Sequence, residues 1–323
     1  MFILCINYVK FVLGIRAFDN APHYAPAEAV LGRALNLLLP IYPRHSYKVI
    51  TKVGHYGDEV NYSIDRIHES LKRSFEYLQT DYFDIVYLHD VEFVADPIAD
   101  INDSGYPTRV LDNLSKYSLN DECYGDVLGD GDKAVLDAIK VLNEYKHQGK
   151  IKAVGISALP LPTLLRVSRL AIKNLGPSSL NYVMSYSNHG PQALAPPSYT
   201  HTNFESFAPL FDKSIKLVTA SPFAMGLLTP QGPQLWHPAP DELKRISKNI
   251  IEKLGGDEVV KASASFCMRK FTTAIGWQTA DQVKDGIKAY ELSRNEESDT
   301  ERKLVDEYIK SGYSGWIWKS GRM

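Results

Sequence analysis

The sequence predicts a parallel α/β barrel whose chemistry gathers at one rim, and three observations lead there. Seven short strand-like runs alternate with amphipathic helical patterns along 323 residues, as expected of βα units whose strands are covered on both faces. Three successive runs end at or beside a proton-active side chain: Asp19, with Tyr24 in the turn behind it, then Lys52, then His89. In a parallel barrel the C-terminal strand ends converge on one mouth, where barrel enzymes place their reacting groups. No Gly-rich dinucleotide loop opens the chain, which disfavours a doubly wound fold built on that loop.

Each element follows from its local pattern. The run Ile15–Asp19 leads through the Tyr24 turn into a helix at Glu28–Leu38. Lys48–Lys52 precedes Ser63–Leu78, where Ser63 suits a cap and Ile64, Ile67, Leu71, Phe75 and Leu78 form one apolar stripe. Phe83–His89 is followed by a polar, turn-rich stretch, Asp96–Asp132, that belongs on the mouth side and has the length of a functional or mobile loop. Lys133–Tyr145 carries Val135, Leu136, Ile139 and Leu142 on one face, with Gly149 soon after. Ala153–Ser157 leads through Pro160 and Pro162, which suit a helix start, to Thr163–Ile172. Strands at Tyr182–Tyr186 and Lys216–Ser221 come next, then a helix at Asp241–Leu254 that stops at Gly255 and Gly256. Thr273–Gly276 is the last strand, and Asp281–Tyr290 the last helix, with Thr279 as its cap.

Seven strands fall one short of the eight that close such a barrel. A parallel crossover needs about a dozen residues or more. A strand at Phe2–Val9 leaves only Lys10–Gly14 for it. The expectation is therefore that Phe11–Gly14 is the tail of the first helix, that the first strand and most of the first helix are absent from this chain, and that residues 1–323 form one barrel domain.

Composition narrows the function classes. Hydrophobic residues make up 44% and charged residues 23%, ordinary values for a folded protein. A formal net charge of −2 gives no electrostatic basis for a nucleic acid or an anionic membrane as partner. Cys5, Cys123 and Cys267 show no metal-ligand spacing, so no metal is expected, and free thiols suit a reducing compartment. The apolar stretch Met1–Ile15 lacks a basic leader region and a cleavage site, is too short to span a bilayer, and is interrupted by Asn7 and Lys10. A cytoplasmic protein is expected, with its oligomeric state open.

Asp19, Tyr24, Lys52 and His89 make a coherent chemical set. A phenol has a pKa of about 10 and is a poor base near neutrality. An adjacent ammonium lowers that value, and a carboxylate holds the ammonium charged and in place. An imidazole can bond to a carbonyl or hydroxyl nearby. Such a set suits proton transfer at an alcohol oxygen while hydride moves at its carbon. Singly, each residue has a plainer reading: a turn Asp, a packing Tyr, a His satisfied by hydrogen bonds. Their order and spacing favour the catalytic one. His23 and His55 could line the same mouth or sit exposed in loops; Trp236, Trp316 and Trp318 suit anchoring of loops and tail.

The pattern resembles the aldo-keto reductase family. FDNAPHYAPAEAVLG follows its FDTA-x-x-Y-G-x-(S/A)-E-x-x-LG motif, ITKVG its lysine strand and VYLHD its histidine strand. VGIS at Val154–Ser157, ASPFAMGLLT at Ala220–Thr229 and AIGWQTADQVKDGI at Ala274–Ile287 follow in order. LPLPTLLR, SYSN and WHPAP look like its sugar-dehydrogenase branch, the fungal D-arabinose and plant L-galactose dehydrogenases. The resemblance implies a (β/α)8 barrel that binds NAD or NADP without a Rossmann domain, NAD being the commoner choice in that branch. It implies oxidation of the C1 hydroxyl of D-arabinose or a related aldose to a lactone. Tyr24 is then the general base, Lys52 lowers its pKa, Asp19 pairs with Lys52, and His89 orients the sugar hydroxyl. The implied cofactor-binding residues are Ser157, Ser185, Ser221, Met225, Gly226, Leu227, Gly276, Thr279, Gln282 and Asp285. Ala158, Ser185, Ala220 and Gly286 stand where the family often has larger or amide side chains, and Lys284 and Lys288 are candidates for a 2′-phosphate. The rival readings are an inactive, incomplete barrel relative and a redox-sensing accessory subunit.

Overall fold

A computed structural model describes residues 14–98, 100 and 103–321. The helix tail expected at Phe11–Gly14 falls, apart from Gly14, outside the described residues, as do Cys5 and any strand ahead of Ile15. Seven strands form one parallel sheet: β1 Ala17–Asp19, β2 Lys48–Val53, β5 Ile85–His89, β6 Val154–Ala158, β7 Tyr182–Tyr186, β8 Lys216–Ala220 and β9 Thr272–Ala274, in that spatial order. The sheet is a barrel-like wall one strand short of eight among the described residues. Each strand pairs with the next along the chain, so every C-terminal end lies on the same rim.

Helices cover the outside: α1 Ala27–Leu38, α2 Ile64–Leu78, α3 Asp130–His147, α4 Leu161–Leu175, α5 Asn203–Phe207, α6 Asp241–Leu254, α7 Gly256–Lys270, α8 Ala280–Ser293 and α9 Asp299–Ser311. The buried side chains of α1 to α4 share one core with Val49, Val86, Val154 and Val183 of the strands. Burial on both faces explains why β2, β5 and β6 read as short runs without a polar, solvent-facing side. The pair α1 and α2 approaches closely at Gly32, where an added Cβ would lie 1.9 Å from the Tyr77 carbonyl oxygen. That contact requires glycine there and sets how α1 leans on the wall behind Asp19.

Several boundaries differ from the sequence reading. Ile15 lies outside β1, and β9 stops at Ala274, before Gly276. Ser63 stands at the start of α2 without a capping bond from its side chain. The Gly255–Gly256 stop is only a corner: Gly255 takes a left-handed φ of 87°, and α7 begins at once. Asp257 and Glu258 in its first turn suit the positive end of the helix dipole. Helix α9, which the apolar pattern did not signal, is capped by Ser298, whose Oγ accepts the Glu301 N–H at 3.1 Å. A two-stranded hairpin, β3 His55–Tyr56 with β4 Glu59–Val60, follows β2 at the rim. Among the described residues no helix is long and apolar enough to cross a membrane.

Candidate active site

Strand register brings the first three groups together. Asp19 ends β1 opposite Ile50 of β2, two residues before Lys52. A short turn, Pro22–Tyr24, then carries Tyr24 back over the rim, its N–H donating to the Ala21 carbonyl at 3.0 Å. Lys52 is 2% exposed, and its Nζ donates to Asp19 Oδ1 and, at 3.0 Å, to the Asn20 carbonyl. The same Nζ lies 4.9 Å from the centroid of the Tyr24 ring, within cation–π range. Burial alone would lower the Lys52 pKa; attraction to Asp19 and Tyr24 outweighs it and holds the amine charged. For Tyr24 the balance runs the other way. The residue stands open at the mouth, yet protein crowding around the phenol raises its pKa above 10, and Lys52 only partly offsets this. The ammonium thus acts in the expected direction without outweighing the protein's own crowding.

His89 ends β5 and meets the Tyr24 ring edge-on, with centroids 5.6 Å apart. Its carbonyl accepts the Tyr62 hydroxyl at 2.7 Å. Burial drives the His89 pKa down to about 3, against the pull of Asp90, so the ring is neutral at physiological pH. A neutral imidazole can donate one hydrogen bond and accept another, as a hydroxyl-orienting group must. Asp90 follows in a left-handed conformation, φ 58°, which turns its carboxylate beside two rings. Its Oδ2 lies 2.7 Å from His55 Nδ1 and 3.7 Å from His89 Nε2. The hairpin brings His55 here; it is buried at the mouth, not exposed, and its ring lies 4.1 Å from that of His23.

The expected cofactor residues form two neighbouring groups. Ser157 and Ser185 are buried at the ends of β6 and β7, with hydroxyls donating to the Leu88 and Leu159 carbonyls. Asn188 adds itself to them: its Nδ2 donates to Leu159, Tyr186 and Ser185, while its buried Oδ1 has no partner among the described residues. A carbonyl oxygen left so is a fitting acceptor for a carboxamide N–H. The second group joins two loops. The Ser221 N–H donates to the Ala274 carbonyl, and its Oγ accepts the Met225 N–H, folding the Ser221–Leu227 turn against the start of the β9–α8 segment. Ser221, Met225 and Gly226 all have positive φ, and an added Cβ at Gly276 would meet nothing within 4 Å. Thr279 and Gln282 spend their side chains on a capping box at the start of α8. Asp285 pairs with Lys288, and Lys284 with Asp281.

Residues 7–304 match the sequence pattern of the Aldo/keto reductase family. The chain belongs to that family. L-galactose dehydrogenase of Arabidopsis thaliana is 29% identical to this chain over 96% of it and 85% of its own length. D-arabinose 1-dehydrogenase of Saccharomyces cerevisiae is 30% identical with the same coverage of both chains. Among solved structures, the holo form of aldo-keto reductase AKR11C1 from Bacillus halodurans superposes with a TM-score of 0.55 at 21% identity, covering 99% of this chain and 89% of its own. The likeness in fold is that of an aldo/keto reductase barrel.

Some groups at the rim of this aldo/keto reductase escaped the sequence reading. Asp90 and Asn188 carried a signal, each lying within three residues of a residue already singled out. Glu92 and Tyr186 lie as near to His89 and Ser185, but their company at the rim shows only once the C-terminal tail and β7 are folded in. Glu92 Oε1 accepts the Leu159 N–H at 3.0 Å and the Ser320 hydroxyl at 2.7 Å, while its Oε2 is buried without a partner among the described residues. Burial, then the nearby charge of Asp90, push this carboxyl up to about 8. The tail is also tied by paired backbone bonds between Ile317 and Gly105 and by Trp318, which is buried against His237. Trp318 and Trp316 therefore anchor the tail, whereas Trp236 stays 42% exposed.

A pH effect on the tail follows. The folded pKa of Glu92 lies above its ordinary 4.5, so its contribution to stability is full below 4.5 and is lost as pH rises through about 8. Tail anchoring is expected to loosen with a midpoint near pH 8, read from tryptophan fluorescence or amide exchange around Trp318, and Glu92→Gln should abolish the transition. A transition that persists in Glu92→Gln assigns it to another group.

Proposed function

We propose that this aldo/keto reductase oxidises the C1 hydroxyl of D-arabinose or a related aldose to the lactone, using NAD in preference to NADP. The supporting observation is the placement of Lys52 Nζ between the Asp19 carboxylate and the Tyr24 ring, with neutral His89 edge-on to that ring. Two relatives that the chain resembles over most of their length carry the names of sugar dehydrogenases.

The residues divide the work. Ser157, Ser185 and Asn188 would hold the carboxamide; Ser221, Met225, Gly226 and Leu227 would face the phosphates; Gly276, Thr279, Gln282 and Asp285 would meet the adenosine. The oxidised nicotinamide, when bound, accepts the hydride that leaves C1. His89 receives the sugar hydroxyl and orients it. Tyr24, as phenolate, takes the hydroxyl proton while the C1–O bond gains double-bond character. Lys52 lowers the cost of that phenolate, and Asp19 keeps Lys52 charged. Lys284 and Lys288 sit in exposed pairs with Asp281 and Asp285, whose carboxylates would meet a 2′-phosphate with like charge. That supports NAD.

The test is NADH formation with D-arabinose, L-galactose and D-xylose, alongside melting with and without each nucleotide. Turnover of an aldose together with NAD-linked stabilisation is expected. Folded protein that is neither stabilised by a nucleotide nor active on any aldose overturns the proposal.

A further inference from the structure

We propose that His55, His89 and Asp90 form a binding site for a divalent transition-metal ion of the zinc class, and that the ion shuts the sugar pocket when it binds. One ligand atom from each residue lies within 4.8 Å of the others, and all three residues are buried. Asp90 Oδ2 is the shared corner, 2.7 Å from His55 Nδ1 and 3.7 Å from His89 Nε2. A tetrahedral zinc with bonds of ~2.0–2.1 Å needs donors about 3.3 Å apart, so sub-ångström side-chain shifts suffice at that corner. Two imidazoles and one carboxylate are a donor set suited to zinc and its neighbours, and three protein ligands leave a fourth position open.

The backbone holds the set in place. The hairpin fixes His55, the left-handed Asp90 aims its carboxylate between the rings, and Tyr62 ties the His89 carbonyl. Lys52, whose charge reaches His89, is paired with Asp19, which limits its repulsion of a second positive ion. An ion on His89 occupies the imidazole assigned above to the sugar hydroxyl. Inhibition should therefore compete with the sugar and leave nucleotide binding alone. This kinetic half rests on the proposed function; the binding half does not.

The experiment uses untagged, metal-stripped full chain. Zinc binding is measured by calorimetry for the native protein, His55→Gln, Asp90→Asn and, as a thiol control, Cys123→Ser. One zinc per chain is expected, with affinity falling about tenfold or more in His55→Gln and Asp90→Asn and unchanged in Cys123→Ser. Cobalt loading of the native chain supplies a readout independent of variant folding: visible bands of a nitrogen and oxygen site, without thiolate charge transfer. No zinc binding, binding indifferent to His55→Gln and Asp90→Asn, or a thiolate band overturns the site. Zinc that binds as expected but inhibits without competing with D-arabinose overturns the blocking role. Zinc binding in a chain that turns over no aldose supports the site and removes only the sugar reading.

Discussion

Tyr24→Phe is expected to lower kcat/KM for aldose oxidation by roughly 10³-fold, within the span that a positioned acid or base contributes. The ring survives the change, so its edge contact with His89 and its place over Lys52 persist. Melting temperature and NAD-linked stabilisation should hold, which separates lost chemistry from lost structure. The pH dependence carries a second signature. Crowding raises the Tyr24 pKa, so the protein without cofactor should show a phenol that ionises above 10 in an ultraviolet titration and that is absent from Tyr24→Phe. Positive charge arriving with the oxidised cofactor should draw that titration down. His89, held near 3, contributes no activity limb close to 6.5. A loss below tenfold in Tyr24→Phe removes the phenol from the reacting set.

Lys52→Met should be costly twice. The substitution keeps much of the apolar stem and leaves the Asp19 carboxylate, 21% exposed, without its buried counter-ion. Breaking such a pair from one side costs about 3 kcal/mol or more when it is fully buried, and somewhat less here because water reaches the carboxylate. Activity should fall at least as far as in Tyr24→Phe, since both the phenolate and the rim geometry lose support. The double variant Asp19→Asn/Lys52→Met should regain part of the stability and none of the activity. Denaturant melts give the stability cycle and NADH formation the kinetic one. If the double variant is the least stable of the set, the two side chains contribute independently and the coupling argued from their contact is wrong.

The strands, their order and the four rim residues were readable because each is a local signal. A buried parallel strand is a short apolar run, and an ionisable residue at its end is out of place unless the rim has work for it. The hairpin at His55–Val60 was not readable, since two residues per strand make too short a period. Helix α7 was hidden by the Gly255–Gly256 pair, which suggests a stop and proves to be a corner. Thr279 was read rightly as a cap, and the capping box shows that its side chain and that of Gln282 serve the helix.

The sequence by itself determined the parallel wall, the rim on which Asp19, Tyr24, Lys52 and His89 stand, and the family, because periodicity and motif order are properties of neighbours along the chain. Only the tertiary structure decided the charge states and the company of those residues. The neutral His89, the raised Tyr24, the Asp90–His55 contact and the tail seated on Glu92 all depend on which groups exclude water from one another. Desolvation and through-space charge act between residues far apart in the chain, and no linear pattern encodes their distances.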